Sequence, residues 1–400
     1  MSKTSDWIEN ELAVCAHNYH PIPVVLTKGE GEWLWDIEGK RYVDMMSAYS
    51  AVSLGHCHPR LLKVLFEQAS TLSVPSRAFY NDQLLPFAQK LCQVSGLDMA
   101  LPMNTGVEAV ETAIKAARRY GYQKKGIKEN QAQIIVAHNN FHGRTISVIS
   151  FSSDKDYKKG FGPFTPGFVS IPFGDSEALK EAITPNTCAF LVEPIQGEAG
   201  IIIPPNGWLK ECEDICKKNE VLLIVDEIQT GLARTGQMFA FEHDKVKPDG
   251  LILGKALGGG ILPVSMFLAT KALMEVFDPG SHGSTFGGNP LGARIGREVL
   301  SVIEEEALVN RSQKMGEILL EGLMALKHPL IKNIRGKGLF IGVEIDPKVP
   351  ARKICEKLME NGVLSKETHE TTVRFAPPLT ISQEALEYAI NQFAKTLKSF

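Results

Sequence analysis

No stretch of this 400-residue chain approaches the roughly 18 consecutive apolar residues that a membrane-spanning helix needs. No long basic run is present either, and a formal net charge of −3 argues against a nucleic-acid surface. The first ten residues include Asp6 and Glu9 and lack an apolar core, so neither a secretory signal nor an Arg-rich transit peptide is expected. Cysteine is sparse. Seven residues, an odd number scattered along the chain, read as reduced cytoplasmic thiols and not as a disulfide framework. Cys212 and Cys216 share a helix face without a second ligand pair nearby, and His56-Cys57-His58 precedes Pro59 as a turn, so no metal site is expected. Two nucleotide-binding motifs are also missing. Residues 250–256 imitate a phosphate loop but lack one spacer, and Ala256 stands where a hydroxyl should hold magnesium. Gly336, Gly338 and Gly342 have the wrong spacing for a dinucleotide fingerprint, with no strand before them. There is no internal repeat and no low-complexity tract.

What is present suits a two-domain globular protein with a large core: 44% hydrophobic and 22% charged residues. The chain is organised around residues 221–260. Five apolar residues, 221–225, end in Asp226 and read as a strand buried on both faces of a parallel sheet. A shorter run, Leu251-Ile252-Leu253, is followed by Lys255 and then Gly258-Gly259-Gly260. Open α/β sheets bind ligands off the carboxyl ends of their strands, where both Asp226 and Lys255 fall. A lysine that can form a Schiff base with an aldehyde, and a carboxylate that keeps a pyridine nitrogen protonated, are what pyridoxal phosphate chemistry requires. Taken singly, each residue reads first as structural, a capping Asp or a snorkelling Lys at a strand end.

In chain order, residues 1–35 read as an irregular arm with turns at His20-Pro21 and Pro23. Trp33 and Trp35 alternate with other residues in a strand, and helical spacing marks 59–72 and 83–94. Strands are expected at 134–137, 146–150, 189–192, 221–225 and 251–253, alternating with helices as in an α/β core. From 292 to 327 the pattern is helical. A strand near 339–344, a helix over 351–361, strands around Val363 and Val373 and a last helix from Gln383 form a smaller α+β unit. The expected division is an arm at 1–47 packing with the small domain, a large domain at 48–291 and a small domain at 292–400.

Several strand ends carry suggestive groups. Asn104-Thr105-Gly106-Val107 opens an Ala-rich helix whose free first-turn N–H groups favour phosphate, although many helices begin that way. Asn140-Phe141-His142-Gly143-Arg144 places a stacking ring beside an arginine suited to a carboxylate, and a solvated surface loop stands level with that reading. Glu193 and Glu198 are acid–base groups, a metal site or ion-pair partners of a distant arginine. Gly283-Ser284-Thr285 offers hydroxyls and backbone amides to phosphate.

Together these segments resemble the class III family of pyridoxal phosphate-dependent aminotransferases, which have the aspartate aminotransferase-like (type I) fold. The likeness runs from Asn18-Tyr19-His20-Pro21 to Arg374-Phe375-Ala376-Pro377-Pro378, with Asp226-Glu227-Ile228-Gln229-Thr230-Gly231, Lys255 and Gly283-Ser284-Thr285 in family order. Residues 47–52 and Tyr19 resemble the branch acting on ornithine; His142 departs from the Trp common in its animal members. The resemblance implies that Lys255 carries the cofactor and shuttles the proton, Asp226 pairs with the pyridinium and Gln229 bonds the ring hydroxyl. Phe141 would stack on the ring. Gly106 and Val107 would hold the phosphate, joined by Thr285 of a neighbouring subunit in a homodimer. It implies transfer of the δ-amine of L-ornithine to 2-oxoglutarate, giving glutamate, in ornithine breakdown or proline synthesis. Tyr19 and Arg144 would hold the far end of ornithine, with Tyr49 shaping the pocket. Glu198 would mask Arg374 until 2-oxoglutarate binds. Acetylornithine, 4-aminobutyrate or lysine as donors, a mutase or racemase of the same fold, and a non-enzymatic binding protein are the rival readings.

Overall fold

The computed structural model describes residues 2–400. The arm contains a helix, Lys3–Val14, which the composition of that segment concealed. Its helix buries no side chain and is started by Ser2, whose side chain accepts a hydrogen bond from the Ser5 N–H, so capping and not core packing defines it. Three strands follow, β1 (Leu26–Glu30), β2 (Trp33–Asp36) and β3 (Arg41–Asp44), and then helices Pro59–Thr71 and Leu84–Ser95.

The large sheet has seven strands: β4 (Met99–Met103), β5 (Gln133–Ala137), β6 (Phe168–Ile171), β7 (Thr187–Val192), β8 (Leu222–Asp226), β9 (Gly250–Leu253) and β10 (Ser265–Ala269). Their spatial order is β4-β10-β9-β8-β7-β5-β6. β10 alone runs against its neighbours, and every other pair is parallel. β7, β8 and β9 are buried along their whole length, as strands covered by helices on both faces must be. β4 and β6 lie at the two edges. Pro102 is tolerated in β4 because an edge strand has one side free of ladder bonds.

The segment 146–150, expected as a strand, is a short helix, Ile146–Ser150, following Thr145. Its β-branched residues mimic strand composition, but Val148 and Ile149 are buried side by side while Ile146 is exposed, which is not the alternation of a strand. Beyond the long helices Pro290–Glu305 and Leu308–Ala325 comes an antiparallel sheet of β11 (Ile331–Lys337), β12 (Phe340–Ile345), β14 (Lys366–Thr368) and β15 (Thr372–Phe375). Between them lie the helix Ala351–Glu360 and β13 (Val363–Leu364), which pairs in parallel with β3 and so joins the arm's strands to the C-terminal part. The helix Gln383–Leu397 closes the chain's described fold.

Candidate active site

The carboxyl ends of β4, β5, β7, β8 and β9 meet in one crevice, as open α/β topology requires. β8 delivers Asp226. Its Oδ2 accepts a hydrogen bond from His142 Nδ1 at 2.6 Å and its Oδ1 one from the Ile228 N–H at 3.0 Å, both side chains being buried. Burial opposes a charge on His142, but the hydrogen bond and charge of Asp226 outweigh it and hold its pKa above the usual histidine value. His142 Nε2 is buried with no partner. Beside this pair Glu193, off β7, accepts the N–H of Phe141 at 3.0 Å and of Gly197 at 3.4 Å. Burial pushes Glu193 up to about 7, so it anchors the Phe141 loop while only partly ionised at neutral pH.

Two close approaches bring the strand ends together. A methyl group on Gly106 would stand 2.9 Å from Ile228 Cδ1, and one on Gly254 would stand 3.3 Å from Gly106 Cα. Gly106 opens the helix after β4, Ile228 follows Asp226, and Gly254 precedes Lys255, so three elements close on one another there. Lys255 has φ 43°, the left-handed region, which a lysine adopts only when its surroundings impose it. Burial lowers its pKa below the ordinary lysine value, against the opposing charges of Glu198 and Asp226. At Gly197 the approach is tighter: a methyl group would fall 1.9 Å from Gln229 Oε1, so only glycine leaves Gln229 its place.

The helix Gly106–Gln123 starts with a capping box in which Glu108 Oε2 accepts the Thr105 N–H at 2.7 Å and Thr105 accepts the Glu108 N–H. The N–H groups of Gly106 and Val107 have no partner among the described residues, which leaves an anion-binding end of the helix dipole. Outside this helix, Asn104 Nδ2 donates to Ser284 Oγ at 2.7 Å, and His282 is bound by Lys115 Nζ and Thr112 Oγ1, each at 2.8 Å. The loop is thus tied to the turn before the helix, while Thr285 itself is exposed.

Across the crevice, buried Arg374 on β15 donates through Nη1 to Glu198 Oε1 at 2.6 Å. Burial alone would raise Glu198, but the charge of Arg374 holds it below the usual carboxylate range. The Arg374 guanidinium lies 4.8 Å from the centre of the Tyr49 ring. Tyr49 is presented by Ser47–Ser50, where four consecutive residues have positive φ (50°, 47°, 59° and 71°). A left-handed turn of L-residues costs about 1–2 kcal/mol per residue. Arg144 is exposed and stacks on Tyr157, 3.6 Å from the ring centre. Tyr19 is 74% exposed on the arm.

The structure therefore brings together Asp226, Lys255, Gln229, Gly106 and Phe141 on one side, and Glu198, Arg374 and Tyr49 on the other. Sequence reasoning overlooked the contact of His142 with Asp226, the anchoring by Glu193 and the ring of Tyr157. His142 and Glu193 lie in segments that attracted attention for other reasons. Nothing local marks Tyr157, whose contact with Arg144 is made across an intervening helix.

The Aminotransferase class-III family pattern matches residues 14–397. The chain belongs to the class III aminotransferases. Among class III relatives, the ornithine aminotransferase of Brevibacillus brevis is 58% identical over 397 residues, covering 99% of each chain. That of a Geobacillus species is 57% identical over 395 residues, again covering 99% of each. A Toxoplasma gondii ornithine aminotransferase structure with partial occupancy of PLP at its active site superposes with TM-score 0.98 at 43% identity, covering 99% of this chain and 94% of that one. The acetylornithine aminotransferase of Elizabethkingia anophelis gives 0.90 at 46% identity over the full length of both. Class III aminotransferases use pyridoxal phosphate, and the crevice fits it: two unpartnered first-turn amides suit a phosphate, and Asp226 and Lys255 suit a pyridinium and an aldehyde.

Proposed function

We propose that this aminotransferase moves the δ-amine of L-ornithine to 2-oxoglutarate, leaving glutamate 5-semialdehyde and glutamate. The observation that carries the reading is the Glu198–Arg374 pair beside Tyr49, with Arg144 left unpaired at the other end of the crevice. When bound, pyridoxal phosphate supplies an aldehyde that takes the amine and a ring that accepts electrons. Lys255 Nζ holds the cofactor and moves the proton at the reacting carbon; its lowered pKa makes an uncharged amine accessible for this. Asp226, backed by His142, would keep a proton on the pyridine nitrogen, and Gln229 would bond the ring hydroxyl. Phe141 would lie against the ring, and the Gly106 and Val107 amides would hold the phosphate.

Arg144 and Tyr19 hold the α-carboxylate and α-amine of ornithine, with Tyr49 shaping the pocket beside Arg374, so the δ-amine is the one presented; binding at the remote end becomes orientation at the reacting one. Glu198 neutralises Arg374 during this half-reaction and releases it to bind the α-carboxylate of 2-oxoglutarate in the next. A homodimer is the working unit, with Thr285 of each chain completing the other's phosphate site. An exposed apolar patch near that loop supports it: Phe79, Tyr80 and Phe286 are exposed, and Asn81 Nδ2 ties their two segments at Gly288 O, 3.1 Å away.

The test is single-turnover transfer from ornithine, N-acetylornithine, 4-aminobutyrate and lysine, with product identification. Ornithine should react fastest and give only the cyclised semialdehyde. A preference for N-acetylornithine would favour the second reading, which the likeness to the Elizabethkingia enzyme supports.

A further inference from the structure

Tyr157 lies outside every motif of the site, yet its ring is the nearer of the two on which Arg144 lies. It sits on the short helix Lys155–Lys158, whose cap Asp154 accepts the Asp156 N–H at 2.9 Å. Lys158 Nζ ties the same turn to Ser150 O at 2.8 Å. Its ring is half-buried, meets Phe141 edge-on at 6.1 Å between centres, and carries the Arg144 guanidinium on its face at 3.6 Å. Arg144 also lies 5.6 Å from the Phe141 ring. Burial raises the Tyr157 phenol, against the lowering charge of Arg144.

A guanidinium held by its face keeps its in-plane N–H fork free, and that fork matches a carboxylate. An arginine tied by an ion pair would have spent the same donors. Among the described residues no carboxylate pairs with Arg144. Glu111 accepts a hydrogen bond from the hydroxyl of Thr145, the residue after Arg144. We infer that Tyr157 is a positioning residue that stacks Arg144 with its donor edge toward the substrate, and so determines specificity for donors with a carboxylate far from the reacting amine. The inference rests on the reading of Arg144 as the group that takes that carboxylate.

The test compares Tyr157→Ala, Tyr157→Leu, Tyr157→Phe and Arg144→Ala as holoenzymes. Two donors are used: ornithine, and 1,4-diaminobutane, which has the chain and amine without the carboxylate. Equilibrium binding of pentanoate, which has the carboxylate and no amine, gives a readout independent of turnover. Losing the stack should raise the ornithine KM and the pentanoate Kd roughly two- to fivefold, the range of a cation–π contact at an exposed site, with kcat nearly kept. Reaction with 1,4-diaminobutane should change little, Tyr157→Phe should restore the ornithine KM, and Tyr157→Ala should add nothing in the Arg144→Ala background. If Arg144→Ala weakens both ligands while folded Tyr157→Ala and Tyr157→Leu do not, the stacking role is overturned and the Arg144 reading stands. Failure of Tyr157→Phe to restore would also overturn it, since the hydroxyl and not the ring would be at work. If Arg144→Ala itself changes neither ligand, the Arg144 reading falls and the inference with it.

Discussion

Asp226 is held from two sides, by His142 and by the Ile228 amide, so its geometry is set before any ligand arrives. Replacing His142 by Phe leaves the buried carboxylate short of a partner, a loss of about 3–5 kcal/mol. The pH dependence has a definite sign. His142 has a folded pKa above its unfolded value, so the pair's contribution is complete below an unfolded pKa of about 6.5 and is lost as pH rises through the higher folded one. Urea unfolding of cofactor-free wild type and His142→Phe, at fixed protomer concentration, should show the largest gap near pH 6 and a shrinking one above. A gap constant from pH 5 to 9 would mean that folded His142 does not titrate with this pair. At Lys255 the expected outcome is chemical. Lys255→Ala should fold, bind cofactor without borohydride-reducible attachment, and lose nearly all turnover; attachment at another lysine with activity retained would refute the assignment. At Glu198, substitution by Ala frees Arg374 and should make glutamate react faster while ornithine begins to transfer its α-amine, as product identification in single turnovers would show. Lys255 and Asp226 were legible in the sequence because each follows an uninterrupted apolar run. Tyr157 was not, because its contact with Arg144 is made by packing a short helix against a loop and by no local pattern.

Elements whose ends are marked chemically were legible. The helix Gly106–Gln123 is announced by Thr105 and Glu108, and β8 by five apolar residues before its carboxylate. β4 and β10 were not, since Pro102 speaks against a strand and the antiparallel run of β10 breaks the alternation of the core. The helix Ile146–Ser150 misled through its β-branched composition, which short apolar runs cannot resolve. The capping box links helix stability to ligand binding. Thr105→Ala should cost about 1 kcal/mol of thermal stability. Fraying of the first turn should weaken pyridoxal phosphate binding by roughly fivefold in a fluorescence titration. Weaker stability with unchanged cofactor affinity would show that the two amides are held by the loop and not by the cap.

For the whole molecule, the parallel sheet, the lysine-bearing strand end, a strand around Val363 and an arm packing with the small domain were expected from the sequence, while the parallel pairing of β3 with β13 was not: a two-residue strand carries no register signal. The assembly prediction follows from the exposed Thr285 loop and the apolar patch beside it. Mixing Lys255→Ala chains with Thr285→Ala chains should regenerate activity if the sites are shared as proposed, because each mixed dimer would then contain one intact site and one doubly damaged one. No recovery after verified exchange of subunits would argue that each chain completes its own site.

The turn Ser47–Ser50 sets folding and catalysis at odds over the same few residues. Ala48 at φ 47° is exposed, and glycine would occupy that conformation without strain. A library sorted for heat resistance alone should therefore enrich Ala48→Gly, with a gain of about 0.5–1 kcal/mol. One sorted for growth on ornithine should resist changes at Tyr49, one residue further on. The two selections would pull this loop in different directions, and the ancestral compromise would be visible as the position each of them leaves alone.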